Sequence, residues 1–339
     1  MKCRARTVPV RSKATRLSQV LSLALPFFGL ILLGFICGKK LSYPEAGLQW
    51  MNFFIVYVAL PGLFFKLISA APFEQLANWP FVIATTATTG LMFALSFLVG
   101  MVSTKGDIRA SAVQSVAGAY ANIGYMGPGL TIAALGPHAV VPTALIFVFD
   151  NALHFSAVPM LMALGSGQSP KWTETVLFVI KRVVTHPFNI ASAAAVFAAA
   201  IGFEPPQVID TMLTFLKNAA APCALFAMGV TIALRPFDGV PKEMPFLLFI
   251  KLILHPFAAW VIVSSVGDFD PEWVLTAVLM ASLPPALNVF VIANQYKVYV
   301  QRASGAILVG TALSVFTVTT LLYMISQNMV PVRLNLFGH

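Results

Sequence analysis

Leu283-Pro284-Pro285-Ala286-Leu287-Asn288 lies inside an apolar run from about 272 to 296, and Asn122-Ile123-Gly124-Tyr125-Met126-Gly127-Pro128-Gly129 lies inside another from about 108 to 134. Proline lacks a backbone donor and clashes with the preceding turn, and paired glycines relax the backbone. Both runs therefore predict helices broken near their midpoints. Unwound backbone in hydrocarbon is costly unless protein buries it or it lines a cavity, so the meaning of these breaks depends on what solvent surrounds the chain.

Composition answers that. Of 339 residues, 58% are hydrophobic and only 10% charged, with a mean hydropathy of +0.85, too little polar surface to coat a water-soluble globule. A spanning helix needs about 20 mostly apolar residues. Ten such runs are predicted, near 18–37, 47–70, 78–103, 108–134, 137–164, 174–202, 207–235, 245–266, 272–296 and 300–326. The net charge of +9 is dispersed over helix ends and a short tail, which fits membrane topology and not nucleic acid binding. Cys3, Cys37 and Cys223 are far apart, so neither a disulfide framework nor a metal site is expected.

The first sixteen residues carry six bases and no acid. The apolar run that follows has no clean cleavage site, so a retained first helix is preferred to a signal peptide. The organisation expected is a basic tail over 1–17, five helices over 18–164, a polar linker over 165–173, five helices over 174–326 and a tail over 327–339.

The two fives resemble each other. Pro26-Phe27 matches Pro187-Phe188 at an offset of 161 (187 minus 26), and Pro61 matches Pro222 at the same offset (222 minus 61). Because five is odd, a second copy enters the membrane upside down. The expected architecture is thus an all-α polytopic protein of two inverted five-helix repeats, with broken helices 4 and 9 crossing, which is a frequent design of secondary transporters. Counting Lys and Arg by loop parity places the N-terminus outside, with Lys39, Lys40, Lys105, Arg109, Lys242, Lys251, Lys297 and Arg302 among the cytoplasmic charges. The basic N-terminal tail opposes that orientation.

Interrupted helices at corresponding places in two inverted halves point to a binding site. Free N–H groups at a half-helix N-terminus present about half a positive charge, which suits a carboxylate. Asn122 and Asn288 offer amides, Tyr125 a hydroxyl or ring face, and Gly124, Gly127, Pro128, Pro284 and Pro285 shape the breaks. The alternative is that the prolines only kink and the asparagines only cap.

These motifs, with Leu25-Pro26-Phe27 and Leu60-Pro61-Gly62-Leu63-Phe64-Phe65, resemble the auxin efflux carrier family over residues 18 to 326. That family includes bacterial malonate and malate permeases and plant PIN-type auxin carriers. The resemblance implies a scaffold and a transport domain, an elevator-like motion, small organic anions such as malonate, malate or an auxin-like acid as substrates, a homodimer, and a bacterial inner (plasma) membrane location. It also makes Asn122 and Asn288 the crossover asparagines.

Asp150 is the one acid placed well inside a span. With His154 four residues on, it reads either as a proton relay or as a structural polar pair. His186 and His255, each before a proline, read as helix-end groups, and Lys66, Lys217 and Lys251 as snorkelling cations. No cofactor is expected. A sodium-coupled organic-anion symporter of the bile-acid type is the alternative within transport; an intramembrane enzyme lacks any HExxH, GxSxG or paired-aspartate signature, and a channel lacks a filter-like repeat.

Overall fold

The computed structural model describes residues 13–41, 45–71, 73–167, 177, 180–181, 184–235 and 239–333. The two tails, the linker and the start of the 174–202 run fall wholly or partly outside them. Among the described residues every regular element is helical, apart from one isolated pair of bridged residues. Its helices are α1 (Lys13–Lys40), α2 (Glu45–Phe54), α3 (Leu60–Ile68), α4 (Trp79–Ser103), α5 (Ile108–Ala119), α6 (Gly127–Leu135) and α7 (Val140–Gly165). They continue with α8 (Pro187–Ala200), α9 (Gln207–Leu234), α10 (Met244–Phe249), α11 (His255–Val266), α12 (Pro271–Ser282), α13 (Asn288–Tyr296) and α14 (Val300–Ser326).

Among the described residues, six helices are long and apolar enough to cross a membrane: Gly47–Ile68, Trp79–Ser103, Pro137–Gly165, Gln207–Leu234, Met244–Val266 and Val300–Ser326. The protein is a multi-pass α-helical membrane protein. Exposed Trp50, Ile83, Leu98, Val102, Phe197, Phe215 and Phe316 face outward, which only a lipid solvent tolerates in such number.

Two of the six spans contain a π-helical turn, at Ile55–Ala59 between α2 and α3 and at Ile250–Leu254 between α10 and α11. The cause is the same in both. Each turn ends two residues before a proline, Pro61 or Pro256, which supplies no N–H. Leu60 and His255 instead donate back to Ile55 and Ile250, across the wider π spacing. The run expected as continuous over 174–202 is interrupted at Thr185–His186, because the His186 backbone is extended (ψ 127°) ahead of Pro187.

α1 packs along α9 through glycine. A Cβ on Gly34 would stand 2.1 Å from the carbonyl oxygen of Phe226, and one on Gly229 would stand 2.0 Å from that of Ile31. Gly34 and Gly38 form a small-xxx-small face that lets the backbones touch, which is how helices associate where no hydrophobic drive exists between them. Elsewhere α4 packs on α5, α3 on α8 and α9, and α11 on α12 and α4.

The two predicted breaks are present. α5 stops at Ala119 and α6 begins at Gly127; α12 stops at Ser282 and α13 begins at Asn288. Every residue of α5 from Ala110 to Ala119 is buried, as are Trp273, Val274 and Thr276–Ser282 of α12. The broken helices therefore lie at the centre, where protein rather than lipid surrounds the unwound backbone.

Candidate functional site

The breaks meet each other. Asn122 N–H donates to Pro284 O at 2.8 Å and Ala286 N–H donates to Tyr120 O at 2.9 Å, an antiparallel bridge centred on Ala121 and Pro285. Each interruption exposes backbone groups that its own helix no longer satisfies, and the other interruption supplies the partners. The Asn122 carbonyl closes the first break by accepting from Met126 N–H and Gly127 N–H at 3.2 and 3.3 Å.

Side chains extend the crossing. The Asn288 amide donates to the Tyr120 hydroxyl at 2.9 Å, Tyr120 donates to the Oδ1 of Asn151, and the Asn151 amide donates to Phe147 O at 2.7 Å. The Tyr120 ring stacks on His154 with centroids 4.2 Å apart and planes 16° from parallel. Tyr120 and Asn151 are functional candidates that the sequence did not single out. The only signal for Tyr120 was its place one residue past the last turn of α5.

A cavity of about 430 Å³ opens beside the crossing. One wall is Tyr120–Tyr125 and Ala286–Asn288, with Val291 and Ile292 of α13. The other is Val56, Tyr57 and Leu60 at the first π turn, Phe147, Asn151 and Phe155 of α7, and Thr185–Phe188. No Asp or Glu lines it among the described residues, the first turn of α13 opens onto it, and His186 is its one described side chain able to carry a positive charge. That lining suits an anion.

Of the residues the sequence nominated, Asn122, Gly124, Tyr125 and Asn288 line this cavity. Gly127, Pro128, Pro284 and Pro285 do not. Gly127 packs against Met280 and Leu283, Pro128 opens α6, Pro284 presents its carbonyl to Asn122, and Pro285 fills the space over Gly310. Asn122 is only 1% exposed, and its amide is 2.9 Å from the Met228 sulfur, a weak acceptor. The Tyr125 hydroxyl reaches Asn52 at 3.4 Å.

Asp150 and His154 do come together, by a different bond from the one their spacing suggests. His154 Nδ1 lies 2.7 Å from the Asp150 backbone carbonyl, while the Asp150 carboxylate accepts from the Thr89 hydroxyl at 3.1 Å. Thr89 also lies 3.4 Å from His255 Nε2, and His255 Nδ1 is 3.2 Å from Lys251 Nζ. Two expectations are corrected here. Lys251 does not snorkel: it is fully buried and donates to Ala281 O at 2.5 Å, so it is no loop charge either. His255, expected at a helix end, lies inside the Met244–Val266 span where the second π turn passes into α11, and is 2% exposed. Lys66, also expected to snorkel, is paired with Asp210 at 2.5 Å. Among the described residues, no three His, Cys, Asp or Glu side chains gather as metal ligands.

A family model described as membrane transport protein matches residues 19–323. A Rhizobium meliloti (strain 1021) protein named "Putative malonate transporter" is 47% identical over 318 residues, covering 94% of this chain and 99% of that one. The Escherichia coli (strain K12) protein named "Uncharacterized transporter YfdV" is 24% identical over 303 residues, 88% of this chain and 96% of that one. Auxin efflux carrier component 1 of Arabidopsis thaliana is 24% identical over 156 residues, 44% of this chain and 25% of the plant protein. All three relatives are named as transporters or carriers.

Proposed function

The chain belongs to the auxin efflux carrier family of membrane transport proteins, and from that premise we propose that it carries malonate or a similarly short carboxylate through the cavity at the crossed breaks. The observation that carries this reading is the cavity itself. At about 430 Å³ it is large enough for a small organic acid, it has no acidic lining among the described residues, and the amides of Asn122, Asn151 and Asn288 and the hydroxyls of Tyr120 and Tyr125 belong to residues that border it. The full-length relative named for malonate supports the substrate class.

Elevator-like alternating access belongs to the same reading: the crossing, with α4, α5, α7 and α11–α13 around it, would move against α1, α3, α8 and α9, of which α1 and α9 are held together by the Gly34 and Gly229 contacts. The inverted five-plus-five repeat, the outward N-terminus, the homodimer and a bacterial inner membrane location belong to this proposal. The matched breaks and the Pro26/Pro187 and Pro61/Pro222 offsets support the repeat. Coupling to protons also belongs to it, with Asp150 and His154 as the groups offered by the sequence.

Purified protein in proteoliposomes preloaded with unlabelled malonate should take up labelled malonate by counterflow. Malate and indole acetate are tested in the same way. Absence of counterflow with all three acids would sink the assignment.

A further inference from the structure

Thr85 and Thr88 of α4 return their hydroxyls to the carbonyls of Phe81 and Ala84 in the preceding turn, as isolated helix threonines do. Thr89 departs from that habit and donates to Asp150. It stands at the middle of a buried line of groups from three spans, Asp150 of α7, Thr89 of α4, and His255 and Lys251 at the second π turn. All four are between 0 and 3% exposed. The line ends at Ala281 O, in the last turn of α12, immediately before the crossing.

We propose that this line is the proton-carrying site of the transporter, in which Lys251 is a built-in cation and Asp150 the group that takes up and gives up the proton. The proposal deepens the transport reading and rests on it.

Lys251 lies where a half-helix ends with unsatisfied carbonyls and a partial negative charge, a place that a bound metal cation would otherwise suit. Its ammonium cannot leave, so the position is permanently filled. An unpaired buried ammonium costs several kcal/mol, and the Asp150 carboxylate, which acts on it electrostatically, offsets that cost. With both ionised the pair is neutral. When a proton from the open side binds an Asp150 oxygen, Lys251 keeps its own protons and the site carries one net positive charge.

That charge has a partner across the crossing. Asp150 and Asn151 are consecutive on α7; the first joins the buried line, and the second lines the cavity and binds Tyr120. A carboxylate arriving in the cavity favours protonation of Asp150, and a protonated Asp150 favours the carboxylate, because linkage is reciprocal. One proton then travels with each substrate molecule and leaves from Asp150 on the opposite side. The other titratable groups facing the site are His255, His154 and Tyr120. His154 bonds the Asp150 main chain and stacks on Tyr120, which makes it a link to the crossing rather than a proton carrier.

The test uses the full chain in proteoliposomes and reads malonate accumulation with and without an inward proton gradient, as a ratio normalised to each sample's own counterflow. Wild type should show a ratio several-fold above one. Asp150→Asn and Lys251→Met should each bring the ratio to one. If Lys251→Met alone does not insert, the double variant D150N/K251M, which replaces the ion pair with neutral groups of similar size, decides the matter: a ratio of one supports the site. A wild-type ratio in Asp150→Asn or in the double variant overturns the proposal, as does accumulation driven by a sodium gradient alone, with the transport reading left standing. Loss of counterflow in wild type overturns the transport reading and this proposal with it.

Discussion

The backbone N–H of Asn122 donates to the carbonyl oxygen of Pro284 at 2.8 Å, joining residues 162 positions apart (284 minus 122) at the point where both of their helices are unwound. The bond ties each break to the other, so the geometry of the cavity is a joint property of both halves of the chain. The asparagine side chains are less committed than the backbone, since the Asn122 amide faces only a thioether and the Asn288 amide only the Tyr120 hydroxyl. Either amide is available to a carboxylate. Replacing Asn122 or Asn288 with Ala should lower malonate counterflow at least tenfold; the melt of Asn122→Ala in detergent should stay near that of wild type, while Asn288→Ala, which also loses the bond to Tyr120, should melt somewhat lower. Wild-type counterflow in both variants would remove them from the site.

The Tyr120 hydroxyl accepts from Asn288 and donates to Asn151. Tyr120→Phe leaves the buried Asn151 amide and the half-buried Asn288 amide each short of a partner, a cost of about 1–3 kcal/mol. The variant should melt at a lower temperature and transport poorly. In combination with Asn288→Ala it should lose less than the sum of the two single effects, because one interaction is removed twice. Strict additivity in the melts would argue that the Tyr120–Asn288 bond has no energetic weight.

Gly229→Val places a branched side chain where even a Cβ would be 2.0 Å from Ile31 O. The backbones of α1 and α9 must separate, with an expected loss of about 1–3 kcal/mol or more. Gly29 has open space around its Cβ position, and Gly29→Val is the matched control. A melt for Gly229→Val equal to that of Gly29→Val would contradict the close approach.

Glu243 lies just outside the Met244–Val266 span and is 7% exposed. Burial pushes its carboxyl up, but the Tyr299 hydroxyl, its own main chain and Arg302, whose guanidinium is at 2.8 Å, hold it below its ordinary value of 4.5. Burial and the Glu243 charge likewise push the Tyr299 hydroxyl up. Because the carboxyl pKa is depressed on folding, Glu243 contributes stability that is complete above pH 4.5 and is lost as pH falls through the lower folded value. Melts of wild type and Glu243→Gln should therefore differ most near neutral pH and converge on acidification. A gap that widens toward low pH would have the wrong sign.

The breaks were legible because Pro284-Pro285 and Gly127-Pro128-Gly129 are clusters, whereas single prolines such as Pro26, Pro159 and Pro222 are carried inside continuous helices. The apolar runs were legible because lipid leaves them no alternative. What could not be read was where side chains point. The spacing of Asp150 and His154 correctly put them on one face, yet the partners of the carboxylate, Thr89 and Lys251, come from α4 and the π turn before α11. Lys251 read as an interfacial charge because an intramembrane lysine is costly by default; the Ala281 carbonyl that receives it belongs to another helix. The π turns were equally hidden, although their cause, a proline two residues beyond, was in plain view. Tyr120 looked like one more aromatic in an apolar run until the second break supplied Ala286 and Asn288 to meet it.

The mutual pairing of the breaks also sets a timetable for biosynthesis. The Tyr120 carbonyl enters the membrane with its break unpaired and waits for the Ala286 N–H, made 166 residues later (286 minus 120). At about 5–20 residues per second that wait is roughly ten to thirty seconds. Through that interval neither the Tyr120 carbonyl nor the Asn122 N–H has the partner it holds in the finished protein.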